Sequence, residues 1–172
     1  MTKRPEEAVG LMLKKKGLSL STAESLTGGL LGHKITNVPG SSGWFNGGVV
    51  AYTDEVKKRI LGVGAATLKE YGPVSSRAAK EMAIGVRKKL KSDIGLALTG
   101  IAGPGGAAWL KPVGTVFIAI TDGKKVYTKK FLFKGGRKVI KEKAATLALM
   151  LLERLLKVKR EYGKFRKKAT SH

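Results

Sequence analysis

Short apolar runs of strand length alternate along this chain with helix-patterned segments. That alternation is the strongest constraint on the fold, because a helix that follows a strand packs back on the sheet and buries its apolar stripe there. Glu6 to Lys16 reads as a helix with its acids first, its bases last and Gly17 as its stop. Leu18 to Ala23 alternates apolar residues with Ser and Thr and predicts a strand, and Thr27 to Thr36 carries helical spacing at Leu30, Leu31 and Ile35. Gly47 to Tyr52 is a further strand, whose run Val49-Val50-Ala51-Tyr52 predicts burial on both faces. Thr53 is a suitable N-cap for a helix over Asp54 to Leu61, and Val74-Ser75-Ser76 opens a longer one with Ala78, Ala79, Met82, Ala83 and Val86 on one side. Ile94 to Leu98 is a short strand. Val113 to Thr121 and Lys125 to Phe133 form a hairpin about Asp122-Gly123, and a last helix runs from about Arg137 to Arg160. The expected architecture is α/β: a single three-layer domain with a mixed, mostly parallel sheet covered by helices on both faces.

With 172 residues, the chain is expected to form one domain over residues 1–156, followed by a basic tail, 157–172, whose end is expected to be disordered. The formal charge of +22 invites a nucleic-acid reading, but 42% of the residues are hydrophobic and the lysines and arginines are spread over helix surfaces. Aromatic residues are only 6% and show no interleaved pattern, so the basicity predicts salt-sensitive, non-specific nucleic-acid binding and no sequence reading. There is no cysteine, which excludes disulfides, thiol catalysis and thiolate metal sites, and His33 and His172 lie far apart, so a dedicated zinc site is not expected. No signal-peptide or membrane-spanning run is present, and the expected location is cytoplasmic, without membrane association. An apolar face left over on the long last helix is compatible with a homo-oligomer.

In open α/β sheets ligands bind beyond the carboxyl ends of the strands, and three connections there stand out. Glu24-Ser25-Leu26-Thr27-Gly28-Gly29 is a hydroxyl-rich strand-to-helix turn whose glycines allow close approach to backbone amides; alternatively, Ser25 or Thr27 merely caps the helix. Tyr52 to Lys57 places Lys57 in the first turn of a helix, either pointing back over the strand end or solvated beside Lys58 and Arg59. Thr99 to Gly106 has glycines that either expose amides or only satisfy positive φ. No dinucleotide fingerprint or phosphate-binding Gly-Lys-Ser/Thr loop occurs, and His33 sits mid-helix, which disfavours Ser-His-Asp chemistry. If Ser25 is a nucleophile, Lys57 is the best available base, and it can serve only as a neutral amine, a form that desolvation and neighbouring cations favour.

Glu24 to Gly29, Gly40-Ser41-Ser42-Gly43-Trp44-Phe45, Gly48 to Tyr52, Gly72-Pro73-Val74-Ser75, Gly100 to Gly106 and Lys111 to Val116 resemble, in order and spacing, the CinA C-terminal domain family. The family includes nicotinamide mononucleotide amidohydrolases, and the resemblance, from about Glu6 to Leu156, is to a stand-alone form. It implies hydrolysis of the carboxamide of nicotinamide mononucleotide to nicotinic acid mononucleotide and ammonia, with no metal and no cofactor. It makes Ser25 the nucleophile and Lys57 its base, with Thr27, Gly28 and Gly29 shaping the pocket and Tyr52, Thr99 and Gly100 lining it. Thr99 or backbone amides are then expected near the oxyanion, and Ser41, Ser42 and Arg137 at the ribose phosphate. The alternative expectation is a catalytically weak nucleotide- or nucleic-acid-binding module on the same fold. This chain departs from the family's pattern at Leu26, where Cys is usual, at the apolar Ala107-Ala108-Trp109-Leu110, and at Gly136, where an acid usually precedes the arginine.

Overall fold

The computed structural model describes residues 4–107 and 111–158. Local chemistry sets most element boundaries. Helix α1 (Pro5–Lys16) has Glu6 and Glu7 in its first turn and closes at Gly17, whose φ of 60° is in the left-handed region that favours glycine. Helix α3 (Asp54–Leu61) opens where Thr53 Oγ1 accepts the Val56 amide at 3.3 Å. After the short α4 (Ala65–Glu70), Ser75 Oγ accepts the Ala78 amide at 3.1 Å and starts α5 (Ser76–Lys89), which buries the five residues expected on its inner face. The long last helix, α6 (Arg137–Val158), runs to the final described residue. The disorder expected near the end of the tail, after Tyr162, falls within residues 159–172, which lie outside the described residues.

Five strands, β1 (Leu20–Glu24), β2 (Phe45–Val50), β3 (Ile94–Gly100), β4 (Thr115–Thr121) and β5 (Val126–Leu132), form one sheet in the order β2-β1-β3-β4-β5. β1 pairs in parallel with both β2 and β3, whereas β4 is antiparallel to β3 and to β5. The sheet is therefore mixed as expected, with only β4 running against the others. The β4–β5 turn is the hairpin at Asp122-Gly123, where Asp122 Oδ1 accepts the amides of Lys124 and Lys125 at 2.9 and 2.8 Å.

The two faces are built differently. Leu20, Leu96, Leu98, Val116, Ile118 and Ile120 meet α1, α6 and a further helix, α2 (Leu30–Thr36), in a core of large aliphatic side chains. Each fully buried Leu or Ile there stabilises the fold by about 2 kcal/mol. The opposite face presents Ala23, Ala97, Ala119 and Phe117 to α3 and α5. A Cβ added at Gly95 would collide with the Ala83 carbonyl of α5, so the small residue is what lets that helix lie close.

Two sequence expectations change. Val49 to Tyr52 is not buried on both faces: β2 is an edge strand, with Val50 and Tyr52 48% and 57% exposed. Strand order decides this, and it is not encoded in the local apolar run. The helix expected from Thr27 begins only at Leu30, because Gly28 and Gly29 take positive φ and the Glu24 carboxylate occupies the amides that would extend it.

Candidate active site

β1 and β3 end side by side, and the chain leaving them turns toward α2 and toward β4. Ser25 follows β1 directly; its amide donates to the Leu98 carbonyl at 3.0 Å and its side chain is buried. Before it, Glu24 is only 2% exposed, and its carboxylate accepts three amides, Gly29 and Leu31 at 3.0 Å and Gly32 at 2.8 Å. The amides at the start of α2 are thus engaged by the protein's own acid, and the anion-binding role that the glycine turn suggested for them is closed off.

Ser25 and Lys57 line the same cavity of roughly 270 Å³. Lys57 is 2% exposed, held beneath the amino-terminal turn of α3, so the reading of it as a solvated lysine does not hold. Its Nζ donates to Asp54 Oδ1 at 3.3 Å, long for a hydrogen bond between charged groups, and the Asp54 side chain is 53% exposed. No hydrogen bond joins Ser25 Oγ to Lys57 among the described residues. Leu26, Pro73, Val74, Ile101 and Ala102 contribute the apolar wall, and Gly100, Gly103, Gly105 and Gly106 contribute backbone. The amides of Leu26, Ala102, Gly103, Gly105 and Gly106 donate to no acceptor among the described residues.

The remaining expected residues separate into four places. Tyr52 and Arg137 are at the cavity: Arg137 donates from Nη2 to Tyr52 Oη and from Nη1 to the Gly103 carbonyl, both at 2.7 Å, so α6 is tied to the β3–β4 connection across the mouth. Thr99 is fully buried behind it, with its hydroxyl donating to the Pro73 carbonyl at 2.8 Å, which uses the proton that an oxyanion would need. Thr27, Gly28 and Gly29 line a neighbouring groove with Leu30, His33, Lys138, Lys141 and Glu142. Ser41 and Ser42 lie in a 3₁₀ turn before β2, at the opposite end of the sheet from Ser25. A strand's length, roughly 17 Å at 3.3 Å per residue, separates them from the cavity of their own chain.

Asp54, Pro73 and Val74 line the cavity and are not among the site residues expected from the sequence. Asp54 had a readable signal, an acid three residues before Lys57 on one helix; the Pro73 segment reaches the cavity only through the fold. The carboxyl nearest in sequence with a displaced titration is Glu55, outside the cavity. A hydrogen bond from Lys58, with the charges of Lys58 and Arg59, draws it below the usual carboxylate range, against a smaller opposing effect of burial. Among the described residues no group of three or more His, Asp or Glu side chains is arranged to hold a metal, and no helix is long and apolar enough to cross a membrane.

These features define a class: a single-sheet α/β protein with a serine and a buried lysine in one cavity beyond the carboxyl ends of adjacent parallel strands. Residues 2–156 match the family model of the CinA C-terminal domain, and the chain belongs to that family. It is 48% identical over 151 residues to a competence-damage inducible protein of Caldanaerobacter subterraneus, covering 88% of this chain and 37% of the relative. A CinA-like protein of Chloroherpeton thalassium is 45% identical over 155 residues, again covering 88% and 37%. The chain therefore spans little more than a third of these relatives. Among solved structures, a CinA superfamily protein from Klebsiella pneumoniae superposes with a TM-score of 0.87 at 31% identity, covering 90% of this chain and 96% of that one. A competence/damage inducible protein from Agrobacterium tumefaciens superposes at 0.83 with 36% identity, covering 91% and 98%.

Proposed function

We propose that the cavity hydrolyses a carboxamide, with nicotinamide mononucleotide as the substrate, to nicotinic acid mononucleotide and ammonia. The observation that carries this reading is the burial of Lys57 in the cavity that Ser25 lines, with one long contact to Asp54 as the amine's only hydrogen bond among the described residues. A buried amine with so little holding it is available to exchange a proton.

The steps balance with these groups alone. Ser25 Oγ bonds to the carboxamide carbon while its proton passes to neutral Lys57, and the carbonyl electron pair moves to oxygen. The Leu26 amide, one residue beyond the nucleophile, and the unengaged amides of the β3–β4 connection are the donors for that oxyanion. Collapse breaks the C–N bond, Lys57 returns the proton to nitrogen, and ammonia leaves. Water, losing a proton to Lys57, then adds to the acyl carbon; collapse breaks the ester bond to Ser25 Oγ, Lys57 returns that proton to Oγ, and the carboxylic acid product leaves with serine and amine regenerated. The Arg137–Tyr52 contact bounds the mouth through which the nucleotide portion extends.

Ammonia release from nicotinamide mononucleotide by the purified protein, freed of nucleic acid in high salt, tests this reading. Release that disappears in a folded Ser25→Ala variant is the expected result. Equal release from both, or none from the folded wild type, overturns it.

A further inference from the structure

At the end of the sheet opposite the Ser25 cavity, four segments far apart in sequence come together. α1 ends at Lys16 shortly before β1 starts, and α5 ends at Lys89 shortly before β3 starts. The β4–β5 hairpin returns at the same end, because β4 runs against β3. α6 has Arg137 at the cavity mouth, and its last turns reach the far end. Lys16, Arg87, Asp122, Leu155 and Leu156, one or two from each segment, line a single small cavity of roughly 160 Å³ there. A Cβ added at Gly123 would strike the Arg87 guanidinium, so the end of α5 and the hairpin touch.

Each segment brings cations to this end. Lys15, Lys88, Lys89, Lys91, Lys125 and Arg154 are exposed there, and none of them makes an ion pair among the described residues. Apart from Lys157 with Glu153 at 2.6 Å, the ion pairs of the described residues lie elsewhere. The acids Asp93 and Asp122 are outnumbered and bonded to the chain itself. Asp93 Oδ2 accepts the amide and the hydroxyl of Ser19, both at 2.8 Å, and Asp122 Oδ1 accepts the amides of Lys124 and Lys125. The helix dipole favours a base in the last turn, which accounts for Lys15 and Lys89. It does not account for Lys91 and Lys125, which lie outside helices, or for four segments delivering charge to one place. The basicity that the sequence spreads over helix surfaces is thus gathered by the fold. Like charges so gathered repel one another, and a polyanion relieves the repulsion.

The shape and chemistry of this end select among polyanions. Five strands spaced about 4.8 Å apart make it roughly 20 Å broad, enough for about six base pairs of a duplex. Tyr127, two residues past the hairpin, is the only exposed large apolar side chain adjoining these segments among the described residues. A single strand is held by stacking on several rings and a bilayer by an inserted apolar face, and this end provides neither. The helices arrive end-on, so none offers a side to lie in a groove and read bases.

We infer that this end of the molecule binds the phosphate backbone of a nucleic-acid duplex, without reading its sequence, on a surface remote from the Ser25 cavity. The inference is independent of the amidohydrolase reading.

The test is fluorescence anisotropy of a labelled DNA duplex of about 20 base pairs, titrated with the full chain at several salt concentrations. With about five phosphates contacted, log K is expected to fall against log salt with a slope of about −4.5. The triple variant Lys15→Gln/Lys89→Gln/Lys125→Gln is expected to bind at least about tenfold more weakly at 0.1 M salt, with a slope shallower by about 2.5. A control triple, Lys134→Gln/Lys138→Gln/Lys143→Gln, removes the same charge at the cavity end and is expected to change affinity less than about threefold. Equal losses in the two triples would assign binding to net charge and overturn the surface, as would the absence of wild-type binding. Equal or tighter binding of the corresponding single strand would overturn the duplex as the partner. So would binding to phosphatidylserine vesicles that the first triple abolishes, with none to the duplex. All six substituted side chains are exposed, and unchanged thermal unfolding of both triples excludes loss of fold as the cause.

Discussion

Glu24 and Lys57 are both buried ionisable side chains close to Ser25, and the fold treats them in opposite ways. Glu24 accepts three backbone amides at 2.8 to 3.0 Å and fixes the turn from β1 into α2. Among the described residues the Lys57 amine has a single polar contact, at 3.3 Å, with a carboxylate that is itself half in water. A buried charge with its hydrogen bonds complete contributes to stability when intact and is costly to truncate. One left under-coordinated contributes little to stability, and its retention points to chemistry. The lesson is that burial alone does not mark a functional group; the number of bonds left unmade does.

The sharpest way to break this contrast is to exchange Lys57 for an apolar side chain of similar length. Lys57→Met is expected to lower kcat for ammonia release about 10³-fold while leaving the thermal midpoint no lower than that of the wild type. A large drop in the midpoint would make Lys57 a second Glu24. The converse variant, Glu24→Ala, leaves three amides without an acceptor, and urea unfolding is expected to show a loss of about 3 kcal/mol.

How α3 carries Lys57 can be tested without touching the cavity. A Cβ at Gly85 of α5 would collide with the carbonyl of Leu61 at the end of α3, so one of the two helices has to shift. Gly85→Ala is therefore expected to cost roughly 2 kcal/mol in urea unfolding and to lower kcat severalfold, because the helix bearing Lys57 is displaced. The smallest effect belongs to Asp54→Asn, which keeps the shape and weakens the one contact to Lys57. About a threefold change in kcat with an unchanged melting temperature is expected, since the pair is partly exposed.

The sequence carried the elements whose boundaries are local. Thr53 before α3, the inner face of α5 and Asp122 in the hairpin act through residues within four positions of one another, and each is where its spacing puts it. Less of the site was legible. That Ser25 and Lys57 face one cavity depends on β1, β2 and β3 being neighbours, a property of strand order. The edge position of β2 and the remoteness of Ser41 and Ser42 depend on the same order. Thr99 and the first-turn amides of α2 have types that suit ligand binding, but the Pro73 carbonyl and the Glu24 carboxylate take their hydrogen bonds, which residue type alone does not reveal. Thr27, Gly28 and Gly29 were identified as pocket residues, and they line the groove next to the cavity instead.

The most direct test of the central claim asks whether Lys57 makes Ser25 nucleophilic, independently of any substrate. A fluorophosphonate that phosphonylates only activated serines, with loss of fluoride, would be incubated with the protein and the modified peptide located by mass spectrometry. Labelling at Ser25 that slows at least about 100-fold in folded Lys57→Met, but persists in a Glu24→Gln variant that remains folded, is the predicted result. Labelling of Ser25 at the same rate with and without the Lys57 amine would contradict the account.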